Sequence, residues 1–192
     1  DSWGVEETSG ALGAETRMPS QNLIPTDLQQ IDEFGFSVAI SGDTIAVGCP
    51  LSGTSNAGAV YTYERTGAAF TLAQKLVDSA AGSNDQLGTK IALDGDILLC
   101  GVQNDDVQGK INAGSALVFT RTGAGENWSQ ATKLTRSTPT SSAQFGASVA
   151  VRDGGADDDY IAIGAPTMAS GASSSVAGNG AVFVYRRVDG TN

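Results

Sequence analysis

FGFSVAISGDTIAVGCP, residues 34–50, is the stretch that decides the fold. It holds an apolar run, a turn with glycine and aspartate, and a second apolar run that ends in a glycine. The same order of elements recurs from Leu87 and from Phe145, so the starts lie 53 and then 58 residues apart. A period near 50 residues is typical of stacked supersecondary units, which bury their apolar faces against their neighbours.

Each copy predicts four short strands. In the first copy, Ser37–Ile40 alternates, the Gly-Asp turn follows, and Thr44–Val47 returns, which together form a hairpin signal. The second strands lack polar alternation, as expected where neighbouring sheets cover both faces. A loop rich in Gly, Ser and Asn leads to a third strand. The fourth strand carries an aromatic residue, Phe70 or Trp128, with a leucine six residues later. The sequence therefore predicts an all-β protein of four-stranded antiparallel units.

The repeats set the domain boundaries. We expect three units at about residues 32–84, 85–142 and 143–192, within a repeat region that spans residues 21–192. The third copy reaches Asn192 before a fourth strand, and Gln21–Ile24 is predicted to end the fourth strand of an earlier unit. Residues 1–20 show no clear period and are expected to form an N-terminal arm or linker.

Composition excludes several classes of partner. The net charge is −10 and charged residues make up 17% of the chain, so phosphates would repel the protein and nucleic acid is not an expected partner. No run of about 18 apolar residues is present, and direct membrane insertion is not expected. Because the chain starts at Asp1 with neither Met nor a signal peptide, we expect a processed or excerpted piece of a longer precursor.

Two small features concern cysteine chemistry and glycosylation. Cys49 and Cys100 occupy non-equivalent repeat positions and are predicted to be small buried hydrophobes, with a mutual disulfide as the alternative. Asn127-Trp128-Ser129 is a sequon, which makes Asn127 a candidate glycosylation site. The sequon favours an extracellular or cell-surface glycoprotein.

The repeat resembles the FG-GAP repeat family, the blade unit of integrin-α-type β-propellers. Phe34-Gly35 and Phe145-Gly146 match the FG element, Gly164-Ala165-Pro166 matches GAP, and Gly48-Cys49-Pro50 matches GAP with one change. The second copy departs at both ends, with Leu87-Gly88 and Gly101-Val102-Gln103. The resemblance implies a β-propeller whose four-stranded antiparallel blades are arranged radially. It also implies a ring of seven blades, of which this chain would supply about three, so further blades are expected from the same precursor or from neighbouring chains.

The resemblance also implies a Ca²⁺ site in the hairpin between the first and second strands of a blade. The first two hairpins are too short to wrap an ion, whereas residues 152–159 are longer and acidic. Calcium prefers several carboxylate oxygens on alternate positions of a curled loop. Asp153 and Asp157 are the candidate ligands, with Asp159 as a last ligand if the chain bulges. The alternative is a solvated acidic turn.

No catalytic constellation stands out. The sequence has no histidine, which removes Ser-His-Asp triads and Cys-His dyads, and no P-loop glycine pattern. We therefore predict a non-enzymatic extracellular module for adhesion, recognition or structural assembly, which binds a protein or glycan through its blade loops. The alternatives are an accessory propeller domain of a secreted hydrolase and a repetitive subunit of a surface filament.

Overall fold

Three antiparallel β-sheets make up the structure, a computed structural model that describes residues 21–155, 158–168 and 178–187. We number the sheets as blades in chain order. Blade 1 contains β1 (Ser37–Ser41), β2 (Thr44–Cys49), β3 (Ala59–Thr66) and β4 (Ala69–Leu76). Blade 2 contains β5 (Lys90–Asp94), β6 (Ile97–Val102), β7 (Ser115–Thr120) and β8 (Ser129–Leu134). Blade 3 contains β9 (Ser148–Arg152), β10 (Asp159–Ala165) and β11 (Ala181–Arg187).

The strands of each blade pair in chain order, which confirms the predicted all-β meander. In blade 1, Ser41 pairs with Thr44 and leaves the predicted Gly-Asp turn between β1 and β2. Blades 1 and 2 also share a bulge between the third and fourth strands, after Thr62 and after Val118. A shared irregularity at the same strand position shows that the repeat extends to backbone detail.

The blades stack face to face because each has two apolar faces. The leading face of a blade packs against the preceding blade, and in blade 2 it carries Leu98 and Leu117. The trailing face packs against the following blade, and in blade 1 it carries Ala46 and Val60. These two faces share one buried cluster, and a second cluster joins the trailing face of blade 2 to the leading face of blade 3 around Phe145.

Glycines set the spacing between blades. A Cβ on Gly48 would lie 1.9 Å from the carbonyl oxygen of Gly88, and a Cβ on Gly101 would lie 1.9 Å from that of Gly146. Gly88 and Gly146 have φ values of +99° and +95°, which side-chain-bearing residues rarely adopt. The glycine that ends each second strand therefore lets the next blade's entry segment approach its backbone closely.

Residues 21–34 cover part of the leading face of blade 1. Leu23, Leu28 and Phe34 pack against the cluster around Val47 and Tyr61. The structure does not contain the predicted strand at Gln21–Ile24, since these residues belong to none of the three described sheets. No helix within the described residues is long and apolar enough to cross a bilayer.

Candidate functional site

In blades 1 and 2, the loops between the second and third strands lie at one end of the blades. Residues 51–57 form this loop in blade 1, with a 3₁₀ turn at Thr54–Asn56, and residues 103–113 form it in blade 2. In the blade 2 loop, Lys110 and Ile111 point into solvent, and Ile111 is 64% exposed. The loops thus present both charged and apolar side chains at one end of the stack.

Backbone hydrogen bonds to the next blade anchor each of these two loops. Three successive carbonyls of the blade 1 loop accept the amides of Asn84, Gln86 and Leu87 at 2.8–3.2 Å. The blade 2 loop repeats the pattern, with carbonyls of residues 111–113 accepting amides of residues 142, 144 and 145 over the same distances. Each loop is therefore fixed at its C-terminal side by the blade that follows it.

Asn104, Asp105 and Asp106 are consecutive in the blade 2 loop, and each of their side chains contacts a different partner. Asn104 donates to the Gln86 side chain at 2.7 Å, and the Asp106 carboxylate accepts the backbone amide of Asn112 at 2.8 Å. Asp105 is buried and lies 2.6 Å from the Lys133 ammonium. The three side chains do not converge on one point.

Two of the predicted Ca²⁺ ligands, Asp153 and Asp159, lie at the opposite end, where the first two strands turn. The Asp153 carboxylate accepts the backbone amides of Asp96 at 2.9 Å and Gly155 at 2.8 Å, and these bonds hold its pKa below the usual value. Asp159 is buried and pairs with Arg187 at 2.6 Å. Asp157 lies outside the described residues. Among the described residues no three acidic or cysteine side chains converge as a metal site, and Ca²⁺ binding stays a prediction.

Asp153 connects blade 3 to blade 2 by hydrogen bonds at the end where the first two strands turn. Its backbone amide donates to the Asp94 carboxylate at 2.9 Å while its side chain bonds the Asp96 amide. One blade earlier, the amide of Gly95 donates to the Ser41 hydroxyl at 3.0 Å, which is the equivalent bond. The hairpin tips of neighbouring blades are thus connected by a repeated hydrogen bond.

An arginine–aspartate pair recurs in all three blades, and sequence reasoning missed it. At or next to the C-terminal end of each third strand lies an arginine, which bonds an aspartate at or just before the start of the second strand at 2.6–2.7 Å. The pairs are Arg65–Asp43, Arg121–Asp96 and Arg187–Asp159. Aligning the three repeats would have revealed this pair, because the arginine position and the aspartate position each hold the same residue in every copy.

Arg121 differs from Arg65 in where it lies. Its side chain is only 4% exposed, bonds Glu64 and Thr44 of blade 1, and stacks 4.5 Å from the Trp128 ring. Arg121 therefore joins the outer parts of blades 1 and 2 through charge, hydrogen bonds and ring contact together.

A glutamine clamp is a second feature that sequence reasoning missed. The Gln74 side chain accepts the backbone amide of Trp128 at 2.8 Å and donates to its carbonyl at 3.0 Å. Gln21 makes the same two bonds to Phe70, at 2.8 and 2.6 Å. Gln21 therefore occupies the position that a preceding blade's fourth strand would supply, although the segment is not a strand.

The remaining predicted residues have clear positions. Asn127 is exposed between β7 and β8, and Trp128 after it is buried in the cluster between blades 1 and 2. Cys49 and Cys100 are buried, unbridged and in different clusters, as the leading prediction had it. Burial raises the pKa of Cys49 to about 11, so the thiol stays protonated and is a poor nucleophile.

Within the described residues, parts of both end faces of the stack are exposed to solvent. Val38 and Ile40 on blade 1 are 69% and 65% exposed, whereas their repeat equivalents Ile91 and Leu93 pack in the cluster between blades 1 and 2. At the other end, Val182 and Val184 are 71% and 67% exposed. Their equivalents Val60, Thr62, Ala116 and Val118 are all buried.

Comparison with known families agrees with this repeat structure. A profile of the FG-GAP repeat matches residues 19–63 and 70–119. The chain belongs to the FG-GAP repeat family. The matched segments include β1, β2 and most of β3 and β4 in blade 1, and β5, β6 and most of β7 in blade 2. A search of curated proteins found no match.

Proposed function

We propose that this FG-GAP chain is a non-enzymatic recognition or adhesion module of an extracellular or cell-surface protein. The anchoring of the loops between second and third strands carries the proposal. Because each described loop is bonded to the following blade, its exposed residues are held in a fixed arrangement at one end of the stack. A rigid set of loops loses little conformational entropy when a ligand binds.

The expected ligand is a protein or a glycan. The net charge of −10 disfavours nucleic acid and anionic membrane surfaces, so neither is proposed as a partner. Exposed Asn127 lies near the hairpin end, away from these loops, where a glycan would leave the loop end accessible.

Loop variants test the proposal. The immobilised chain would be screened against a glycan array and against cells, and then compared with a Lys110→Ala/Ile111→Ser variant. The control variant, Thr122→Ala/Glu126→Ala, changes two exposed residues at the opposite end. We expect the loop variant alone to lose binding. Equal binding by all three proteins, or no binding to either panel, would contradict a recognition role for the loops.

A second role, structural assembly, is supported by the open faces of blades 1 and 3. Val184 stands at a repeat position that is buried in blades 1 and 2, and Val38 at one that is partly buried against the preceding blade in blades 2 and 3, which favours further blades on both sides. We propose that such blades, from the same precursor or from neighbouring chains, complete a propeller of seven blades. Analytical ultracentrifugation of the chain should show concentration-dependent association that Val38→Glu or Val184→Glu weakens. A cooperatively folded monomer at all concentrations would remove the main support for this role.

A further inference from the structure

Lys133 of β8 lies against two buried aspartates. Its Nζ is 3.0 Å from an Asp78 oxygen and 2.6 Å from an Asp105 oxygen, and the side chains of these aspartates are 2% and 7% exposed. A third buried aspartate, Asp85, interacts electrostatically with all three groups. Three carboxyl groups therefore share one ammonium in a region that little water reaches.

The repeat-equivalent lysine in blade 1 has a different environment. Lys75, at the same position of β4, contacts Asp27 at 2.7 Å, and both residues are exposed. Water screens the charges of such a pair and keeps both groups ionised. The burial of the aspartates around Lys133 is therefore not required by the repeat position.

The two aspartates contact Lys133 in different ways. Asp78 is hydrogen-bonded, since its carboxylate accepts Nζ and the backbone amide of Ala80, each at 3.0 Å. The Asp105 Oδ2 is buried and has no hydrogen bond of its own within the described residues, although Nζ lies 2.6 Å away. An amine held this close to a carboxyl group in a fixed geometry has a very high effective concentration for reaction with it.

We propose that Lys133 and Asp105 form an intramolecular isopeptide bond after the chain has folded. Nζ attacks the Asp105 Cγ, so that a C–N bond forms and one C–O bond of the carboxyl group breaks. The ammonium loses two protons, and both leave with the departing oxygen as water. The reaction needs no other reactant, and it removes one positive and one negative charge from the interior.

Asp78 is the residue that moves the protons. Burial lowers the pKa of Lys133, but contacts with Asp105 and Asp78 outweigh it and hold that pKa above its usual value, so the reaction starts from the ammonium. A nucleophilic amine then requires a proton acceptor within hydrogen-bond distance, and Asp78 meets that condition. Asp78 takes a proton from Nζ, returns it to the departing oxygen and ends unchanged.

The bond would fix the blade 2 loop, residues 103–113, covalently to β8. It goes beyond the recognition role proposed above, because it requires neither a ligand nor further blades. Its absence would leave the loop and face variants with the same expected results.

Mass spectrometry of the denatured wild-type chain is the test. After several days folded at neutral pH, the chain should be lighter by one water, and digestion should release a branched peptide that joins residues 105 and 133. A succinimide at Asp94-Gly95 or Asp153-Gly154 would also lose one water, but hydroxylamine opens a succinimide and leaves the isopeptide intact. Absence of the branched peptide would overturn the proposal without reference to any variant.

Matched variants assign the roles. Lys133→Arg keeps the charge but presents a guanidinium that stays protonated, so the branched peptide should disappear, whereas Lys75→Arg should leave it unchanged. Asp78→Asn keeps the size of the side chain and removes the proton acceptor, so the bond should form at least about a hundredfold more slowly. A branched peptide in Lys133→Arg, or an unchanged rate in Asp78→Asn, would show that the bond or its proton transfer belongs to other residues and would overturn the mechanism.

Discussion

Replacing Arg121 by methionine should destabilise the protein far more than the same change at Arg65. The two arginines are repeat equivalents and make the same bond to an aspartate, at 2.7 Å in each case. Methionine retains most of the apolar stem, so the comparison isolates the guanidinium. What differs is burial, since the Arg121 side chain is 4% exposed and that of Arg65 is 48% exposed.

The size of each effect follows from that burial. Without Arg121, the Glu64 carboxylate, 17% exposed, keeps only the Thr44 hydroxyl and loses its opposite charge. Breaking a buried pair typically costs about 3–5 kcal/mol, and solvent around Asp96 reduces this to about 3–4 kcal/mol here. An exposed pair is worth about 0–1 kcal/mol, which is the expected cost of Arg65→Met.

Urea unfolding followed by circular dichroism measures both values. For a chain of this length, about 3 kcal/mol corresponds to a fall in Tm of about 6–12 °C. The double variant Glu64→Gln/Arg121→Met should recover part of the loss, because no carboxylate is then left without a partner. If Arg121→Met and Arg65→Met differ by less than about 1 kcal/mol, burial is not what distinguishes the two sites and the reasoning fails.

Three further changes test the contacts between and beside the blades. Gln74→Ala should cost about 2 kcal/mol by leaving two partly buried backbone groups unbonded, whereas Gln21→Ala, at an exposed copy of the clamp, should cost less than about 1 kcal/mol in the same urea assay. Gly101→Ala should lower stability by at least about 2 kcal/mol because its Cβ would meet a backbone carbonyl at 1.9 Å, while Gly164→Ala meets only a rotatable serine side chain and should cost less than about 1 kcal/mol by differential scanning calorimetry. Burial raises the pKa of Asp85, so the native state holds this proton more tightly than the unfolded chain does and stability falls as the pH rises through that window. Asp85→Asn should therefore raise Tm near pH 7 and leave it unchanged near pH 3, and an equal effect at both values would contradict that origin.

Much of the fold followed from local patterns. The Gly-Asp turn after Ser41 and the alternation in Ser37–Ile40 placed β1 and β2 because hairpin signals act over a few residues. The continuous apolar run in β6 indicated a strand covered on both faces, and all six of its residues are buried. The 3₁₀ turn at Thr54–Asn56 was not predicted, since its conformation depends on contacts with the entry segment of blade 2.

The candidate site was less accessible to sequence reasoning. Asp159 was considered as a metal ligand because of the family resemblance and its place in an acidic hairpin, whereas its carboxylate bonds Arg187, which lies 28 residues further along the chain. The aligned repeats have arginine, aspartate and glutamine at equivalent positions, but the alignment shows only that a residue type recurs and not which residue it contacts. Its partner becomes visible only when the strands are paired and stacked.

The sequence by itself determined the three-part repeat, the all-β class and the order of strands, because turns and periodicity are properties of short segments. Only the tertiary structure decided that the described loops are bonded to the following blade, that Arg121 is buried while Arg65 is not, and that parts of two end faces are exposed within the described residues. Those distinctions separate residues that are equivalent in sequence. They arise because the burial of a residue depends on whether another blade packs against it. The sequence of one repeat does not specify which of its faces has a neighbouring blade.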